Sequence, residues 1–196
     1  MTEPHQPFRV WRPNPHPRYC TLLTRFPSAP NSVWESIAEA VPFPAHSDRV
    51  EFHMDPRYPH RRRLADYCYS VNQFVVISGR LRNFLDAHAV QAEYLPARIY
   101  DGRGRLASYD YMVANVQTVL DVIDQEKSII EFNPHAPRIQ RADRLVIDSD
   151  AIAVDIMAFR PRYLPEVLIV RESFANKLES ARFTGLDLDT LTQFVE

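Results

Sequence analysis

At 196 residues, with 45% apolar and 24% charged side chains, the chain is long enough to bury a core and too apolar for a disordered segment. Its formal charge of −2 sets up no field that would hold it on DNA or an anionic bilayer, so neither nucleic acid nor membrane is an expected partner. Two cysteines, Cys20 and Cys68, without Cys-x-x-Cys spacing, and no apolar stretch of signal-peptide or membrane-spanning length predict a reduced, cytoplasmic setting.

Eleven of the 16 prolines fall in the first 59 residues, and each fixes φ and removes a backbone donor, so regular elements there are predicted to be short. A strand over 19–24, a helix over 31–40 and a strand over 50–53 are expected. Ser32 and Glu35 have capping-box spacing, Trp34, Ile37, Ala38 and Val41 would form the helix's apolar stripe, and Pro42 ends it. Residues 1–65 read as a proline-rich part of one domain, wrapped on the same core as the rest.

From Phe74 the texture changes. Phe74, Val75, Val76 and Ile77 form a continuous apolar run of the buried-strand kind, Ser78 caps a helix, and Leu81, Phe84, Leu85 and His88 recur on one face of it. Stretches 92–100 and 106–116 form a hairpin across Asp101-Gly102-Arg103-Gly104-Arg105, where the two glycines supply positive φ. Further strands are expected over 129–132, 145–147 and 153–159, the last placing Val154 and Ile156 on one face. Leu168-Ile169-Val170 followed by Phe174 and Leu178 echoes the earlier strand–helix texture, which reads either as two units packed side by side on a sheet or as two ordinary strand–helix turns, with the second helix running over 172–181.

No catalytic signature accompanies these elements. His53, Asp55 and His60 lack metal-ligand spacing, Cys68 alternates inside Tyr67-Cys68-Tyr69 as a packed strand thiol would, and phosphate-cradling glycine motifs are missing. No catalytic residue, metal ligand or cofactor is therefore assigned. Arg61-Arg62-Arg63, with Arg57 and Tyr58 upstream, is the one basic run, and reads first as a solvated surface. Acidic groups concentrate late: residues 121–196 hold 14 acidic against 9 basic side chains, and Asp143, Asp148, Asp150, Asp155 and Glu166 fall within 24 residues. As catalysts they would make a small metal-dependent hydrolase using the cluster near Asp148 and Asp155. As a surface, Asp148, Asp150, Asp155 and Glu166 would dock a basic protein.

The motifs arrive in a distinctive order: Phe74-Val75-Val76-Ile77-Ser78 with Leu81 and Leu85, Glu93-Tyr94-Leu95-Pro96, Tyr109-Asp110-Tyr111, Leu120-Asp121-Val122-Ile123-Asp124 running to Ser128, Ala158-Phe159-Arg160, and Thr184-Gly185-Leu186. In that order and with those gaps they resemble the eleventh class of bacterial polymorphic-toxin immunity proteins, over residues 66–190, with Leu64-Ala65-Asp66 a looser match. The resemblance implies a non-enzymatic protein that binds and neutralises a cognate secreted toxin domain inside the producing bacterium. It implies fold-forming roles for Tyr111, Asp124, Ser128, Phe159, Arg160 and Gly185. Arg171 stands where that family often has Ser, so the resemblance assigns no cap to the second helix. The fold expected is one α+β domain over 1–196, a mixed and largely antiparallel sheet with two or three helices packed on it. An intracellular protein-binding regulatory domain is the other non-enzymatic reading.

Overall fold

The computed structural model describes residues 7–24 and 31–191. In chain order the elements are β1 Phe8–Pro13, β2 Leu22–Thr24, α1 Asn31–Glu39, β3 Val50–Met54, β4 Tyr67–Cys68, β5 Val76–Ser78 and α2 Gly79–Ala87. They continue with β6 Ala92–Tyr100, β7 Leu106–Val116, β8 Val119–Leu120, β9 Ile129–Phe132, β10 Ile139–Arg144, β11 Ala158–Pro161, β12 Leu168–Arg171, α3 Glu172–Ser180 and β13 Leu186–Thr190. The protein is α+β with mixed sheets: β3–β6 and β8–β11 pair in parallel, and the other registers described are antiparallel. The strands divide into three sheets instead of the one expected, because the chain gathers into two compact units.

The first unit takes Met1–Arg12, Thr118–Ala181 and Asp187–Glu196. Its five-stranded sheet runs β13-β1-β12-β11-β8, and β9 and β10 form a separate two-stranded ribbon. Strand β1, unforeseen among the prolines, pairs from Phe8↔Arg171 to Trp11↔Leu168. Its Phe8 ring meets Phe159 edge-on at 5.6 Å, in a core with Leu145, Leu164 and Ile169.

One expected strand in this unit did not form, and another formed only at its end. Leu145 and Ile147 are buried but join the structure through an isolated bridge between Ile123 and Ile147, while the ladder strand is the more polar Ile139–Arg144. Only Ala158–Pro161 of the other pairs, and Val154 is 83% exposed, because the Arg171 guanidinium holds the preceding stretch as a loop by donating to the carbonyls of Ala153 (2.9 Å) and Ile156 (3.2 Å).

The second unit takes Pro13–Gln117 and Arg182–Leu186, so both the proline-rich part and the later motifs contribute to it. Its six-stranded sheet runs β2-β3-β6-β7-β5-β4 around a core of Leu22, Phe52, Val76 and Ile99. The hairpin forms as expected, but positive φ is confined to Gly104 (φ 77°).

Helix α2 starts where Ser78 Oγ accepts from the Leu81 amide at 3.2 Å, and buries Leu81 and Leu85. Helix α1 turns a different face inward from the one expected: Val33, Ser36, Ile37 and Ala40 are buried while Trp34 and Val41 are half exposed. The helix begins at Asn31, so Ser32 lies within its first turn and not at the cap. The two strand–helix repeats belong to different sheets: β5 leads into α2 in the second unit and β12 into α3 in the first.

Candidate functional site

The motif residues make structural bonds. In the second unit Asp66 is a junction: one carboxylate oxygen accepts from Ser78 Oγ at 2.9 Å, the other from the Thr184 amide and hydroxyl at 3.0 Å each and from Arg80 at 3.1 Å. The Asp66 amide donates back to Thr184 Oγ1, and the Tyr67 amide donates to the Thr184 carbonyl, both at 3.0 Å. Gly185, at φ 78°, lies so close that a Cβ there would strike the Tyr67 carbonyl oxygen and Ala65. Tyr111 is buried and donates its hydroxyl to the Ala65 carbonyl at 3.0 Å. A loosely matched tripeptide and a motif 118 residues later thus clasp one another.

In the first unit Asp124 and Ser128 close a turn. Ser128 donates its amide to the Asp124 carbonyl, and its hydroxyl accepts from the Val146 amide, both at 2.9 Å. Lys127 sits 2.6 Å from the Asp124 carboxylate, a contact that lowers the pKa of the acid and raises that of the base. Phe159 is fully buried in the core, and Arg160, 2% exposed, donates its side chain to the Pro165 carbonyl and its amide to that of Thr118. A guanidinium this enclosed serves the fold.

The acidic residues fall differently. Asp148 caps a short 3₁₀ turn, Ser149–Ala151, by accepting from the Asp150 amide at 3.1 Å; Asp150 and Asp155 occupy the same exposed loop, on either side of Val154. Arg171 fastens that loop: α3 has no side-chain cap, and the guanidinium donates to the loop carbonyls of Ile152 and Ala153 instead. Glu166 stands apart, between β11 and β12, paired with Arg138 at 3.7 Å, and Asp143 pairs with Arg141 at 2.9 Å. The structure therefore joins Asp148, Asp150 and Asp155 on one loop and leaves Glu166 with a different partner.

Among the described residues no three His, Cys, Asp or Glu side chains stand together as a metal site. Of the histidine-containing cluster, His53 stacks on Tyr100 at 5.1 Å and Asp55 is bound by Arg57. Cys20 and Cys68 are buried and unlinked, and the Cys68 thiol donates to the Ala65 carbonyl at 3.3 Å; their mutual influence pulls the Cys20 thiol down and, with burial, pushes Cys68 up. Sequence reasoning missed Asp66 as a junction and Arg171 as a loop anchor, since both bonds join residues far apart in the chain.

Fold and sites together define an α+β protein whose motif residues hold its own loops and strand ends together. It belongs to the Imm11 immunity protein family, whose model matches residues 13–193. The family is one of immunity proteins, which points to a toxin-neutralising role. No curated protein matches the chain. Among the described residues no helix is long and apolar enough to cross a membrane.

Proposed function

We propose that the protein neutralises a cognate secreted toxin domain by stoichiometric binding in the cytoplasm of the producing bacterium, with no chemistry of its own. Membership of the immunity family carries this reading. The motif residues support it, because their polar groups are consumed by bonds within the fold. On this reading Asp148, Asp150, Asp155 and Glu166 face the toxin, and the Asp148–Asp155 loop is the principal contact. It offers carboxylates beside an exposed apolar tip, Val154, on a backbone already fastened by Arg171. A preordered loop loses little entropy on binding.

The test is co-expression with the toxin domain encoded by the neighbouring gene, scored by host survival, together with association rates for Asp150→Lys/Asp155→Lys. The double variant leaves the capping Asp148 in place. It should associate at least about tenfold more slowly at low salt, the defect shrinking as salt screens the attraction. Wild-type rates in the folded variant would discard the acidic loop as the contact. Failure of the unmodified protein to bind or protect would discard the immunity reading.

A further inference from the structure

The basic run of the second unit does not stand alone in space. The loop after β3 meets the β6–β7 turn around a cleft of about 200 Å³, lined by four arginines, Arg61, Arg62, Arg103 and Arg105, against two aspartates, Asp55 and Asp101. Both aspartates are already occupied. Asp55, 3% exposed, is held by Arg57 Nη2 at 2.7 Å and Nε at 3.0 Å, and by the Arg57 amide at 2.9 Å. Asp101 accepts from the Arg103 and Arg105 amides at 2.8 and 3.0 Å and from Arg105 Nε and Nη2 at 2.9 and 2.8 Å. The backbone and side chain of Arg105 hold its carboxyl down at about 2, so it remains an ion with its acceptor sites filled.

Arg57 and Arg105 thus neutralise the two acids, and the positive charge left over belongs to Arg61, Arg62 and Arg103. None of these three has an ion-pair partner among the described residues. Arg62 Nε donates to the Pro59 carbonyl at 2.8 Å, and Arg61 lies 4.3 Å over the ring of Tyr58, which also lines the cleft.

Guanidinium forks match carboxylates bidentately, and Arg and Tyr together are the residues that anchor protein interfaces. The cleft is smaller than the roughly 300 Å³ at which small-molecule pockets begin. A long polyanion would also meet a chain whose net charge is −2, whereas a short acidic stretch of a folded partner need engage only this positive spot. We infer that the cleft formed by Tyr58, Arg61, Arg62 and Arg103 receives adjacent carboxylate side chains on an acidic segment of the toxin domain. This rests on the immunity reading and adds to it a second contact, opposite in sign to the acidic loop.

The test uses the full chain. Hexaglutamate, with hexaglutamine and single-stranded hexathymidylate as comparisons, is titrated against the wild type and Arg61→Glu/Arg103→Glu while backbone amides are followed by NMR. Hexaglutamate should shift the amides of 55–62 and 101–105, hexaglutamine should not, and the double variant should bind hexaglutamate and the toxin domain at least about tenfold more weakly. Arg61→Lys/Arg103→Lys should retain part of both. If the reversal disturbs folding, as its melting curve would reveal, Arg62→Gln is read in its place.

Tighter binding of hexathymidylate than hexaglutamate would overturn the inference in favour of a phosphate site. So would absence of any shift in the cleft, or unchanged toxin affinity in the folded variant, and these leave the immunity reading standing. Failure of the unmodified chain to bind the toxin domain overturns both.

Discussion

Three glycines illustrate how backbone conformation and space act separately. Gly102 has open surroundings and no positive φ; Gly104 has open surroundings but φ 77°; Gly185 has φ 78° and a Cβ position already filled by the Tyr67 carbonyl and Ala65. Substitution by Ala should therefore cost a few tenths of a kcal/mol at most at Gly102. At Gly104 it should cost about 1 kcal/mol, from the left-handed backbone alone. At Gly185 it should cost more than about 2 kcal/mol, since the Thr184–Asp66 clasp must shift to admit the methyl group. Urea midpoints for the three variants measure the ranking, and equal midpoints for Gly104→Ala and Gly185→Ala would show that the clasp yields freely. Sequence reasoning found the hairpin glycines and their turn but treated the two alike, because φ at each depends on how the Asp101 carboxylate gathers the turn amides.

At the level of elements, α2 is fully legible and α1 only in part. Helix α2 has its serine cap and its buried Leu81 and Leu85 where the sequence put them. Leu85→Ala should cost about 2–5 kcal/mol in a denaturant titration, because that side chain is 1% exposed and leaves a cavity. Trp34→Ala, in α1, should cost less than about 0.5 kcal/mol despite the larger deletion, since Trp34 is 50% exposed. A large loss at Trp34 would restore the stripe expected from periodicity.

What turned α1 is a buried amide. Asn115, on β7, donates to the Val41 carbonyl at 2.7 Å, and Ser36 donates to the carbonyls of Ser32 and Pro42 at 2.9 and 3.0 Å. A polar side chain with such partners can occupy the inner face, and an indole then takes the outer one. Hydrophobic periodicity weighs Ser36 as polar and cannot see its partners.

For the whole molecule, the chain enters the second unit after Arg12, leaves it at Thr118, re-enters at Arg182 and returns at Asp187. Neither unit is a continuous stretch: the first unit's sheet takes β1 and β13 from segments separated from its main stretch, and the second unit takes Arg182–Leu186 from far along the chain. We propose on that ground that residues 1–196 unfold as the single domain read from the sequence. Coincident transitions in near-UV and far-UV circular dichroism are expected, and two separated transitions would make the units independent domains. The same interleaving explains why splitting the chain by proline content at 65/66 could not anticipate the compact units. Proline density constrains local φ and says nothing about where the ends return.

By itself the sequence determined the α+β class, the β6–β7 hairpin, the Ser78-capped helix and, through its ordered motifs, the immunity family, because each rests on local periodicity, turn chemistry or spacing along the chain. Only the tertiary structure decided that β1 crosses back to pair with β12 and that Asp66 clasps Thr184. It also decided that Arg171 makes a loop where a strand was expected, and that the arginines after β3 share a cleft with those of the hairpin turn. Those outcomes depend on hydrogen bonds and charges joining residues tens to more than a hundred positions apart, and nothing in local sequence specifies such partners.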